Sequence, residues 1–260
     1  MHPMVNIGIR AARNAGNIIL RSVNRIDSLN VTEKSINDFV SEVDFRAEQE
    51  IIRAVQKAYP AHAIHAEESG KSGNNEEYTW IIDPLDGTTN FLHGFPQFAV
   101  SIAVKYRDKL EHAIIYDPTK DEIFSASRGN GAQLNDRRIR VTPRKSLNGA
   151  LLGTGIPFRE NQDLNHYLET FKVLLKDTAG VRRAGSAALD LAYVAAGRLD
   201  GFWEFGLQPW DMAAGCLLVQ EAGGIVSDIN GQDSFLDSGN VLCGNSKIHQ
   251  QMLDRLLPIL

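Results

Sequence analysis

The stretch Trp80-Ile81-Ile82-Asp83-Pro84-Leu85-Asp86-Gly87-Thr88-Thr89-Asn90-Phe91 runs from three bulky apolar residues straight into a turn that carries two acids. The apolar run predicts a buried strand over Trp80–Asp83. Pro84 cannot donate to a ladder and is expected to stop it, and Gly87 permits a tight turn. Asp83 and Asp86 then share one bend with the Leu85 carbonyl between them, an oxygen set suited to a hard cation such as magnesium. Thr88 stands at an expected helix start, where free amides and a hydroxyl can hold a phosphate oxygen or orient a water. Taken alone, Asp-Pro-x-Asp-Gly is a common solvated turn. The flanks argue otherwise: Trp-Ile-Ile before it and Phe91-Leu92 after it force the acids toward a covered site, where they need counter-charge.

Two further acidic features fit the same centre. Ala66-Glu67-Glu68-Ser69 ends the preceding expected strand, so a carboxylate there lies beside Asp83 if the two strands are neighbours. Trp210-Asp211 opens a helix behind Pro209, which would hold Asp211 in a rigid first turn. Singly, each is ordinary: paired glutamates often end a solvated strand, and an acid at a helix start is favoured by the dipole. Together with the Asp83 turn they offer four carboxylates for two or more divalent ions, the arrangement that clamps attacking and leaving oxygens in phosphoryl transfer.

Around this centre the pattern alternates between periods of 3.6 and 2. Val5, Ile9, Ala12, Ala15, Ile19 and Val23 mark a helix over residues 4–23. Phe39, Val43, Ala47, Ile51 and Val55 mark a second, capped by Asn37 or Asp38 and stopped by Pro60, with Asp44 and Glu48 four residues apart on one face. A strand is expected over Ala63–Ala66, and then a mostly antiparallel meander: Phe98–Tyr106, His112–Tyr116, Glu122–Ser127 and Gln133–Asn135. Strand and helix alternate from there on. Strands are expected at Gly149–Gly153, Asp200–Phe205, Ile225–Ser227 and Asn240–Cys243, and helices at Asp163–Asp177, Ser186–Ala196, Asp211–Glu221 and Lys247–Leu257. The fold class is α+β in two sandwich-like halves, residues 1–142 with the antiparallel sheet and metal motifs and residues 143–260 completing the site, joined near residues 140–148 without a flexible linker.

Composition narrows the function classes. The chain has 260 residues, 43% of them hydrophobic, and a formal charge of −5. It can bury a large core, and it lacks the strongly basic balance of a protein devoted to gripping nucleic acid. Cys216 and Cys243 stand alone, with no zinc spacing and no disulfide framework. No apolar run is long enough to span a bilayer and no leader pattern opens the chain, so the expected location is the cytoplasm, with no membrane partner.

Glu67-Glu68-Ser69, Asp83-Pro-Leu-Asp-Gly-Thr-Thr-Asn-Phe91 and Trp210-Asp211-x-Ala-Ala-Gly215, in this order and spacing, resemble the inositol monophosphatase family of magnesium-dependent, lithium-sensitive phosphatases. The resemblance runs nearly end to end through Lys34-Ser35 to Asp44, Gly185-Ser-Ala-Ala-Leu189 and Glu221-Ala-Gly-Gly224, and is greatest to proteobacterial cytoplasmic members linked to ribosomal RNA transcription antitermination. It implies a layered α/β/α/β/α sugar-phosphatase sandwich that acts as a homodimer on inositol 1-phosphate and related polyol monophosphates. Glu67, Asp83 and the Leu85 carbonyl would bind a first magnesium ion, and Asp83, Asp86 and Asp211 a second. A third, weaker ion would lean on Glu67 and water. Thr88, paired with Asp44 and steadied by Lys34, would orient the nucleophilic water for in-line attack without a covalent intermediate. The Gly87 and Thr88 amides would hold the phosphate. Gly185, Ser186, Ala187 and Glu204 would contact the polyol, with Asp211 near the leaving oxygen. Ala66 and Ser41 depart from common family choices, at positions that ligate nothing.

Other residues read more plainly. Arg137, Arg138, Arg140, Arg144 and Lys145 fit a charged sheet edge that discourages pairing, or else a contact with RNA or an acidic partner. Arg183 is expected at the interface between copies. Phe202, Trp203 and Phe205 are expected in the core, His93 at the periphery of the site, and both cysteines as buried small hydrophobes. Two enzymatic alternatives share the metal motifs, a phosphatase for 3′-phosphonucleotides and one for fructose 1,6-bisphosphate. A third reading is non-enzymatic: a factor that binds RNA polymerase, Nus-type factors and the ribosomal RNA leader.

Overall fold

The computed structural model describes residues 2–23, 25, 31–35, 38–73, 75–157 and 163–260, with the backbone alone at 31, 33–35, 38–40, 75 and 76. The first half contains α1 (Pro3–Val23), β1 (Val31–Ser35), β2 (Asp38–Ser41), α2 (Glu42–Ala58), β3 (His62–Ala66), β4 (Gly70–Ser72), β5 (Asn75–Asp86), α3 (Thr88–Leu92), β6 (Ala99–Tyr106), β7 (Lys109–Asp117), β8 (Glu122–Ser127), β9 (Gly131–Leu134) and β10 (Arg137–Arg138). The second contains β11 (Leu151–Thr154), α4 (Leu164–Leu175), β12 (Gly180–Arg182), α5 (Ala187–Ala195), β13 (Gly201–Glu204), α6 (Pro209–Glu221), β14 (Ile225–Ser227), α7 (Phe235–Ser238), β15 (Val241–Gly244) and α8 (Ser246–Leu256).

An eight-stranded sheet has the order β10-β9-β8-β7-β6-β5-β3-β4, and a five-stranded sheet the order β12-β11-β13-β15-β14. In the large sheet only β3 and β5 run parallel, and every other pair is antiparallel.

Alternation of side chains along the strands assigns the layers. In β5, Trp80 and Ile82 point into a core shared with α1 and α2, while Ile81 points into a second core shared with α5 and α6. In the small sheet, Phe202 and Cys243 face that second core, while Trp203 and Leu242 face a third built with α4 and α8. The order is therefore α1/α2, large sheet, α5/α6, small sheet, α4/α8. A middle layer is covered on both sides, which is why α6 has no polar face and buries every residue from Met212 to Val219.

Two expectations change. The second helix starts at Glu42, not near residue 38: Phe39 belongs to β2, Asn37 lies outside the described residues, and Ser41 is the cap. Ser41 Oγ accepts the Val43 amide at 3.2 Å while the Asp44 carboxylate accepts the Ser41 amide at 2.8 Å, a reciprocal box that satisfies the free amides of the first turn. Pro84 does not end its strand either. β5 pairs Asp83 with Ser101 and then Asp86 with Ala99, so three steps on β5 meet two on β6. The missing donor of Pro84 is absorbed by a bulge, which bends the strand and re-aims both acids.

Candidate metal centre

Three elements, β3, β5 and α6, bring four acids to one place. Because β3 and β5 are parallel neighbours with Ala66 opposite Ile82, the first residue past β3 lands beside the end of the β5 ladder. The Glu67 amide donates to Ile82 O at 3.0 Å, and the Glu67 carboxyl lies within hydrogen-bonding reach of Asp83. Asp83 is 1% exposed, and its Oδ1 accepts the Leu85 amide at 2.9 Å, which folds the bulge back on itself. Gly87 follows with φ +93°, and a Cβ there would stand 2.9 Å from Gln97 O and 3.2 Å from Gly185 O. Only glycine fits this close crossing of two backbones.

The crossing joins β5 to α5. Asp86 Oδ2 accepts from Ser186 Oγ at 2.5 Å and from the Ala188 amide at 2.8 Å, so an acid from β5 sits on the first turn of α5, where exposed amides favour negative charge. Asn90 Nδ2 ties the same region to Ala184 O at 2.9 Å. Asp211 lies in the first turn of α6 behind Pro209, as the sequence suggests, with its Oδ2 accepting the Gln208 amide at 2.7 Å.

Thr88 Oγ1 is 3.0 Å from Asp44 Oδ1 and 3.0 Å from the Leu85 carbonyl. Its single proton serves one acceptor at a time or is shared between them. The Thr88–Asp44 pairing expected from the sequence is thus present. The side chain of Lys34 lies outside the described residues.

Charge is what sets this place apart. Burial pushes the Asp83 carboxyl well above the usual carboxylate range, and the negative charges of Glu67, Asp86 and Asp211 push it further. Burial likewise raises Asp211 well above that range, with Asp86, Glu67 and Glu204 adding to it. Asp86 is pushed up to about 6 by burial, with its Ser186 hydrogen bond pulling the other way. Among the described residues no lysine or arginine pairs with Asp83, Asp86 or Asp211. Like charges buried together without a base favour protons or cations, and hard oxygen donors with a backbone carbonyl in the turn suit a divalent ion. No three acid, histidine or cysteine side chains among the described residues are already drawn in around a common point. The fit to a cation therefore rests on the charge, burial and donor type of the cluster.

A cleft of about 490 Å³ opens over the acids, lined among others by Glu67, Asp86, Gly87, Thr88, Gly185, Ser186, Ala187, Glu204 and Asp211. Asp83 and Leu85 lie beneath it, each 1% exposed. Glu204 ends β13 and needs a bare backbone opposite, since a Cβ on Gly155 would overlap its carboxylate.

The aromatic and charged residues around β13 and α5 take different places. Phe205 is only partly core: it packs against the third core and also lines the cleft, with its ring edge-on to His166 at 5.6 Å. Phe202 and Trp203 are fully buried, as are both cysteines. Arg183 lines the cleft, where its charge offsets part of the rise that burial, Glu204 and Asp86 impose on Asp190. Asp190 itself, 2% exposed in the cleft wall, escapes the motif reading. Its signal was present as the one charge in the otherwise apolar run Ala187–Ala195.

Comparison with known proteins accords with this geometry. The sequence model of the inositol monophosphatase family matches residues 1–259. The chain is 59% identical over 263 aligned residues to the Nus factor SuhB of Pseudomonas aeruginosa, covering 99% of this chain and 97% of that protein. The solved structure of the extragenic suppressor protein suhB from Bartonella henselae matches with a TM-score of 0.95 at 43% identity, covering 98% of each chain. An inositol monophosphatase from Anabaena (Nostoc) sp. PCC 7120 matches with a TM-score of 0.88 at 37% identity, covering 99% of this chain and 96% of that one.

Proposed function

Because the chain belongs to the inositol monophosphatase family, we propose that it hydrolyses phosphate monoesters of small polyols, inositol 1-phosphate among them, with magnesium as cofactor. The observation that carries this is the cluster of buried Asp83 with Asp86, Asp211 and Glu67, which line a cleft of small-molecule size, with no basic partner for the three aspartates among the described residues. Glu67, Asp83 and the Leu85 carbonyl would hold one ion, and Asp83, Asp86 and Asp211 a second, with a third and weaker one at Glu67. Bound divalent ions supply positive charge that acidifies a water and offsets charge growing on the phosphoryl and leaving oxygens.

The residues of the chain do the rest. Asp44 fixes Thr88 Oγ1, which orients a water in line with the scissile bond. The backbone at Gly87 and Thr88 holds phosphoryl oxygens, which its glycine crossing leaves unobstructed. Gly185, Ser186, Ala187 and Glu204 line the wall where polyol hydroxyls would bind, and Asp211 sits by the leaving oxygen. The halves 1–142 and 143–260 then have separate duties: the first brings most of the acids, the second the polyol wall and Asp211. The compact chain, without large insertions, favours small monophosphates over nucleotide or bisphosphate substrates.

The test is phosphate release from inositol 1-phosphate, fructose 1,6-bisphosphate, 3′-phosphoadenosine 5′-phosphate and glycerol 2-phosphate, with magnesium and with added lithium. Magnesium-dependent, lithium-sensitive turnover of the first is expected, and no turnover on any of them rejects the enzymatic reading.

A second role is favoured by the name of a relative at 59% identity, a Nus factor. In this role the chain joins the transcription antitermination machinery in the cytoplasm, with RNA polymerase, Nus factors and the ribosomal RNA leader as partners and a homodimer as the active form. Among the described residues no helix is long and apolar enough to cross a membrane. Arg137 and Arg138 are exposed on β10 at the edge of the large sheet, and Arg183 would serve the dimer. Charge reversal of Arg137 and Arg138 that leaves association with RNA polymerase unchanged would remove that surface from the role.

A further inference from the structure

Asp44 and Glu48 are both fully buried and lie one turn apart on α2. Asp44 is explained by its cap and by Thr88. Glu48 is not explained by packing. Its Oε2 accepts the Glu68 amide at 2.8 Å, and its Oε1 is buried with no hydrogen-bond partner among the described residues. A buried carboxylate with one idle oxygen is costly, and a well-packed apolar side chain would serve folding better.

The Glu68 bond lies where the sheet gives out. β3 ends at Ala66, and Glu67–Ser69 form the turn into β4. The Glu67 amide is the last held by β5, through Ile82 O. The next amide, that of Glu68, is held by α2 instead. Two consecutive amides are thus fixed by two different elements, with the Glu67 side chain between them.

We propose that Glu48 is a positioning residue for Glu67. In this arrangement α2 acts as a spacer with two pegs: Asp44 holds the Asp83–Thr88 turn, and Glu48 holds the Glu67–Glu68 turn four residues, about 6 Å, further along the helix axis. The distance between the two acid-bearing turns is then set by a capped helix rather than by the repelling acids. Glu48 touches no reacting atom, and the proposal rests on the reading of Glu67 as a cation ligand.

The experiment is calorimetric titration of the full-length protein with Mg2+ and Mn2+, comparing Glu48→Ala, Glu48→Gln and Glu48→Asp, alongside hydrogen exchange at the Glu68 amide. Outer-shell partners of metal ligands typically change affinity 10- to 100-fold, so Glu48→Ala should weaken cation binding by about tenfold or more and speed Glu68 exchange. Glu48→Gln keeps an oxygen for the amide and should stay within about threefold of the parent, while Glu48→Asp keeps the charge, withdraws the oxygen and should fall between them. Circular dichroism separates this from loss of folding, and Glu48→Asp carries the test if Glu48→Ala does not fold. Unchanged affinity in folded Glu48→Ala or Glu48→Asp overturns the proposal, as does Glu48→Gln binding as weakly as Glu48→Ala. Absence of cation binding by the parent protein overturns the proposed function and this inference with it. Binding by the parent and by every variant alike overturns this inference alone.

Discussion

β5 and β7 run in the same direction in the large sheet and carry the same dipeptide, Asp83-Pro84 at the bulge near the end of one and Asp117-Pro118 where the other stops. Both aspartates are buried, 1% and 0% exposed. Asp117 is closed on itself: Oδ1 accepts from the Thr119 amide and hydroxyl at 2.9 and 2.7 Å, and Oδ2 receives Lys120 Nζ at 2.6 Å. Asp83 has one local amide and is otherwise faced by Glu67, Asp86 and Asp211. The dipeptide bends the chain in both places, as a bulge in β5 and as a turn after β7. A lysine three residues on completes one as structure, whereas an acid three residues on leaves the other in need of a cation.

Substitutions that break this contrast should have very unequal effects. Asp83→Asn removes a shared donor and should lower magnesium-dependent phosphate release by about a thousandfold or more, as losses of transition-state charge stabilisation do. Its thermal midpoint in chelator should not fall, since one buried like charge is gone, and scanning calorimetry checks this.

Next in size is the polyol wall. Gly155→Ala would displace the Glu204 carboxylate and should raise KM for polyol phosphates by about tenfold, with a smaller change in kcat, because binding is lost more than chemistry. Steady-state kinetics decide it.

A pH effect follows from the raised acids. Between the usual carboxylate value and about 6, folded Asp86 binds more protons than unfolded Asp86. Its contribution to stability is therefore present at low pH and is lost as pH rises through that window. In chelator the parent protein should lose stability relative to Asp86→Asn from pH 4 to pH 7, and cation affinity should strengthen over the same range as protons are displaced. Melting curves at several pH values, with and without magnesium, measure both.

Asp117→Asn should do least to activity. It breaks an ion pair whose lysine is 41% exposed, so solvent screening keeps the cost to about 2 kcal/mol of stability. Phosphate release per folded molecule should be unchanged, and a loss comparable to that of Asp83→Asn would erase the contrast between the two turns.

Most of the framework was legible because burial on two faces leaves a plain mark. Trp80-Ile81-Ile82 reads as a central strand, and Val5 to Val23 as an amphipathic helix. The order of acids and glycines around Gly87 also survives in one dimension, since each sits at the end of an element. What was hidden depends on contacts between elements. Phe39 fits the apolar period of α2 although it lies in β2, because a two-residue overlap of periods looks the same in sequence. Pro84 reads as a stop, yet a bulge accommodates it. Phe205 is as apolar as its buried neighbours, and only the path of the chain past β13 puts it in the cleft. Glu48 was visible as a partner of Asp44 on one helix face, while its bond to Glu68 needed the fold.

The central claim is that the acids around Asp83 form a divalent-cation site. Calorimetric titration of the parent protein and Asp83→Asn with magnesium tests it directly. Saturable binding by the parent that disappears in Asp83→Asn, with both proteins folded, is the predicted result. Equal binding by the two, or none by the parent, would contradict it.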